Sequence, residues 1–76
     1  MDIGMLWYAG KGSLEDQVTR AVAFYKQNHG KITTLCIVNP GVLSEAKLKP
    51  GAFLHGVELR SARTVLDTHV WVGHTQ

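Results

Sequence analysis

Between Ser13 and His29 the apolar residues Leu14, Val18, Ala21, Val22 and Tyr25 recur at spacings of four, three, one and three, which is one stripe of an α-helical repeat. The opposite side of the same repeat carries Glu15, Arg20, Gln27 and Asn28, and Phe24 lies beside the stripe and widens it. The ends of this segment are marked as well. Ser13 is placed to cap the first turn, and Glu15 and Asp16 set negative charge against the positive end of the helix dipole. Gly30 follows as the left-handed closing residue, with Lys26 and His29 in the last turn. A helix of this length is marginal alone in water, so its stripe requires a sheet or a partner.

The other apolar runs are shorter and have strand character. Met5 to Tyr8 is apolar and aromatic and ends at the Ala9–Gly12 break. Thr34 to Val38 is β-branched and continuously apolar, which suits a strand covered on both faces. Strand, helix and strand in this order predict a βαβ unit with a parallel pair. Asn39, Pro40 and Gly41 end the second strand, and a short helical turn over 42–46 is expected to place Val42, Leu43 and Ala46 inward. Lys47 to Ala52 reads as a turn. In Val57 to Arg60 apolar and charged residues alternate, the mark of a half-buried strand. Ser61 to Thr68 reads equally as a loop or a hairpin arm, with Val65 and Leu66 expected inside. In His69 to Gly73, Val70 and Val72 face one way, His69 and Trp71 the other, and the tail 74–76 is expected to fray.

These elements predict a single two-layer α/β domain of the α+β kind over residues 1–76. Helix 13–29 lies on a small mixed sheet of about four strands in the order β-α-β-(short helix)-β-β, with an antiparallel C-terminal pair.

Composition narrows the function. At 76 residues the single core is small, which makes self-association a natural way to gain buried area. One cysteine excludes an internal disulfide and a cysteine-rich zinc site. The charged fraction of 18% leaves a weakly charged surface, and a net charge of +2 gives little attraction for nucleic acid. No apolar run is long enough to span a membrane, and the first ten residues do not read as a secretion signal, so the chain is expected to be cytoplasmic.

Candidate chemistry is sparse. Cys36 sits mid-strand, a setting for a buried thiol rather than a nucleophile. The histidines at 29, 55, 69 and 74 lack ligand spacing, so no metal or other cofactor is expected. Gly10 and Gly12 precede a helix as in a phosphate loop, but Glu15 stands where the third glycine belongs and Asp16 follows it. Trp7 and Trp71, with His69, are the expected partner-binding residues, because tryptophan is enriched at interface centres and a core this small has few places for two indoles. The alternative is weak nucleic-acid binding through Lys47, Lys49, Arg60 and Arg63, the one basic cluster.

The runs LWY, FYKQNHGK, LCIVNP, GVELRSARTVL and HVWVG together resemble short bacterial proteins with no assigned function. That resemblance includes no catalytic signature and carries no functional residue onto this chain. The expectation is therefore a non-enzymatic interaction or regulatory module, a homo-oligomer or the binder of a protein partner.

Overall fold

The computed structural model describes residues 2–75. The elements are β1 (Asp2–Tyr8), α1 (Leu14–His29), β2 (Leu35–Val38), α2 (Pro40–Glu45), β3 (Phe53–Leu54), β4 (Val57–Ser61) and β5 (His69–Thr75). They form an α+β fold in which one main helix packs on a mixed five-stranded sheet of order β1-β5-β2-β4-β3. Among the described residues, no helix is long and apolar enough to cross a membrane.

Helix α1 has the expected ends. The Ser13 hydroxyl accepts the Asp16 N–H at 3.2 Å, and Gly30 closes the helix at φ 65° with its N–H on the Lys26 carbonyl. Leu14, Val18, Ala21 and Tyr25 are buried, and Val22 is half-buried at the margin of the stripe. They meet Cys36, Val38, Val57, Leu59, Val70 and Val72 from the sheet and Leu43 from α2 in one apolar cluster. Each buried Leu or Val contributes about 1.5 to 3 kcal/mol.

The sheet differs from expectation in strand count and order. The predicted parallel pair of 5–8 and 34–38 does not form, because β5 runs between them, antiparallel to both. β1 and β2 still point the same way, as a βαβ unit split by one inserted strand. The parallel pair is instead β2 with β4, and β4 is not the partner of β5, because β2 separates them. Hydrophobic alternation assigns each strand its faces and leaves its neighbours open, so the period in 57–60 and 69–73 is compatible with either arrangement.

The fifth strand, β3, forms a hairpin with β4 through a two-residue turn. Leu54 pairs with Val57, and His55 and Gly56 have φ of 52° and 81°, the doubly left-handed geometry of a tight hairpin turn. Histidine is an unusual first residue for such a turn, which hides it from a sequence reading.

Several residues sit differently from expectation. β1 begins at Asp2 rather than Met5, and β5 continues through His74 to Thr75 instead of fraying, while Gln76 lies outside the described residues. Ala46 is exposed, because α2 stops at Glu45 and residue 46 is its C-cap. Residues 62–68 form a loop that buries Val65 and leaves Leu66 exposed.

Gln17, a polar residue on the buried side of α1, is 1% exposed. Its Nε2 donates to the Gly10 carbonyl at 2.7 Å and to the Asp67 carbonyl at 3.2 Å, tying the loops that leave β1 and enter β5 to the helix. Ala9 and Gly10 N–H groups complete that junction on the Thr68 carbonyl. Replacing Gln17 with Leu keeps the volume but takes this donor from two part-buried carbonyls while also removing the unpartnered Gln17 Oε1, so urea unfolding of Gln17→Leu is expected to show a loss of about 1 kcal/mol.

Candidate functional site

Both helices lie on one side of the sheet. In β5, Val70 and Val72 point to the helices, while His69, Trp71 and Gly73 point away. Cross-strand register then assigns the rest of the outer face. Gly4, Leu6 and Tyr8 from β1, Leu35 and Ile37 from β2, and Glu58 and Arg60 from β4 share it.

Trp71 is the centre of this face, because its indole lies over two glycines paired across the strands. A Cβ on Gly73 would lie 2.7 Å from Trp71 Cη2 and 2.8 Å from the Gly4 Cα, and one on Gly4 would lie 2.6 Å from Trp71 Cζ2. Two bare positions thus let β1 and β5 approach closely and give the ring a flat seat. Around it Leu6 and Tyr8 are 53% and 66% exposed, Ile37 is half-buried, and Leu35 is buried. Tyr8 meets His69 edge-on at 5.2 Å, and His69 Nδ1 is 3.0 Å from the Thr68 hydroxyl.

The three expected partner-binding residues are therefore divided. Trp71 and His69 share the outer face with Tyr8. Trp7 pairs with Val70 on the helix side and stacks on Phe24, with ring centroids 5.5 Å apart. An odd separation along paired strands is what divides the two tryptophans.

The four basic residues are divided as well. Arg60 is on the outer face, where its Nε donates to Glu58 at 2.8 Å, and the two side chains offset each other's charge. Lys47 and Lys49 border a groove with Pro40 and Ser61, and Arg63 lies in the 62–68 loop.

The cleft at the start of α1 has a volume of about 310 Å³ and includes Lys11 and Gly12, but Glu45 and Asp67 line it too. Those carboxylates oppose an anion, in keeping with the failed phosphate-loop pattern. Among the described residues, no group of three His, Cys, Asp or Glu side chains converges to hold a metal. His55 faces Glu15 at 3.5 Å, and His74 is 2.7 Å from the Tyr25 hydroxyl.

Sequence reasoning placed Trp71 and His69 on one face but missed Leu6, Tyr8 and Ile37 beside them. The missing signal was the β1–β5 pairing, whose glycine pair Gly4 and Gly73 hinted at a close strand approach. No family model, curated protein or solved structure matches this chain.

Cys36 is fully buried, and burial pushes its thiol up to about 12. Thiol reagents at mildly alkaline pH are expected to label it only after unfolding. Because the folded value lies above the ordinary 9.0, the unfolded chain loses this proton first. The stability linked to Cys36 is intact below that pH and declines as pH rises toward 12, so unfolding midpoints of wild type should fall more steeply over that window than those of Cys36→Ala.

A second outcome concerns the glycine seat. Gly73→Ala places a methyl against the Trp71 ring and the facing backbone, and thermal unfolding should report a loss of about 1 to 3 kcal/mol.

Proposed function

We propose that the protein is a non-enzymatic interaction module that works by associating with another protein chain, its own second copy first of all. The observation that supports this reading is the β1 flank of the sheet. There, among the described residues, an apolar outer face without a covering helix adjoins a strand with one unpaired edge. From Ile3 to Tyr8 this flank carries no charged side chain, and on the face beyond it β4 and β3 place the mutually compensating Glu58 and Arg60 with the exposed Phe53. An apolar, uncharged surface next to open main-chain groups is costly to leave in water and has little to repel an identical surface. The small core points the same way, since a domain of 76 residues gains stability from added buried area. The residues assigned to the surface are Leu6, Tyr8, Trp71 and His69, with Ile37 beside them.

Light scattering over a wide concentration range is the test. The mass should climb from 8.4 kDa toward twice that value as the protein is concentrated. Leu6→Glu sets a charge into the flank at an exposed position and should weaken association by about tenfold or more, the equivalent of ~1.4 kcal/mol, without unfolding the domain. A chain that stays monomeric at millimolar concentration would sink the self-association reading.

A further inference from the structure

The two edges of the sheet are unlike. β3 is an edge of two residues, hemmed by the Pro50–Gly51 turn and by His55–Gly56. β1 is an edge of seven residues, paired to β5 at every position without a skipped residue. It carries no lysine, no proline and no bulge of the kind that blunt an edge strand, and its one charged residue, Asp2, is at its first position.

Alternation along an antiparallel ladder settles which main-chain groups are open. The Gly73 carbonyl accepts the Thr34 N–H, so Gly73 bonds toward β2, and Gly4, its partner, turns its own N–H and C=O away from β5. Leu6 and Tyr8 follow the same parity. The Ala9 N–H, of opposite parity, bonds inward to Thr68, as the alternation requires.

We propose that a second copy of this chain adds to the sheet at β1, antiparallel to it, about a two-fold axis at Met5, making one continuous ten-stranded sheet. This rests on the reading of the protein as a self-associating module and specifies its partner and register.

The side chains favour this occupant over an unrelated strand. A two-fold at Met5 gives the longest overlap and pairs Gly4 with the partner's Leu6, Ile3 with the partner's Trp7, and Met5 with itself. On the outer face the projecting Leu6 of each copy then meets the bare position of the other, beside the Trp71 ring that covers Gly4. On the helix side Ile3, 41% exposed, gains an aromatic neighbour. From Ile3 to Trp7 every pair is apolar and each large side chain faces a smaller or flexible one, and the end pair sets Asp2 against the partner's Tyr8. The outward groups of Gly4, Leu6 and Tyr8 are of the parity that forms hydrogen-bonded pairs in this register. An isologous contact of this kind closes on itself as a dimer and leaves β3 as the edge at both ends.

Single-cysteine cross-linking under mild oxidation tests the register, with Cys36 silent because it is buried. Met5→Cys should form a covalent dimer, since the self-paired position brings the two Cβ atoms within disulfide reach. Leu6→Cys should not, because its copies lie two residues apart along the strands. In the unaltered chain, hydrogen exchange at the Gly4, Leu6 and Tyr8 amides should slow by about tenfold or more between dilute and associated protein, as newly bonded amides do. A cross-link at Leu6→Cys but not Met5→Cys overturns the register. A dimer by light scattering with no cross-link at either site and no change in those amides overturns edge pairing and leaves the interaction module standing. A monomer at every concentration removes both.

Discussion

The fold depends on β5, a strand from the end of the chain inserted between two strands from its beginning. β1 and β2 are joined by α1 and run in the same direction with a gap one strand wide between them, and β5 fills it antiparallel to both. β5 fits because its two faces differ. Val70 and Val72 enter the core under α1, while Trp71 and Gly73 on the other side let β1 approach closely and still cover the joint with a ring. β1 has no other strand partner among the described residues, so the N-terminal strand is held by β5 on one edge and by the helix layer on one face.

That arrangement dictates what remains outside. Both helices follow strands that lead across the sheet in one direction, and both pack on the same side. A sheet covered on one face has to end in water on the other, and most antiparallel sheets answer with polar residues at the alternate positions. Here the alternate positions of β1, β5 and β2 include Leu6, Tyr8, Trp71, Leu35 and Ile37, with His69 and the glycine pair between them. β4 follows the usual rule, with Glu58 and Arg60. Low overall charge, visible in the composition, is thus concentrated on one flank rather than spread over the surface.

The parts of this molecule that could be read from the sequence are those set by local chemistry. The α1 boundaries follow from Ser13, Asp16 and Gly30, whose hydrogen bonds are made within a few residues, and the faces of β5 follow from simple alternation. Strand order was not legible, because a period of two says which way Val70 points and nothing about whether β2 or β4 lies beside it. The role of Gln17 is not legible for a related reason. Its partners at Gly10 and Asp67 are carbonyls, present at every residue, and the second is fifty positions away. Leu6 and Tyr8 were passed over as members of a short strand because their exposure depends on β1 being an edge, a property of the whole sheet.

The division between committed and uncommitted chemistry bears on function more than any single residue does. Where the loops and helix starts gather, the polar side chains already have structural work. Gln17 donates to two loop carbonyls, and Asn39 accepts from Gly41 while donating to the Val65 carbonyl. Lys11 lines the same cleft as Glu45 and Asp67. The one thiol is buried in mid-strand with its proton held tightly. On the opposite flank the situation is reversed: main-chain groups of alternate β1 residues point outward, and large apolar side chains stand beside them in water. Edge groups that bond to water can exchange it for another strand, and apolar area is removed from water only by another surface. A chain that leaves a sheet edge and an oily face open side by side concentrates both kinds of surface where a second chain can meet them at once.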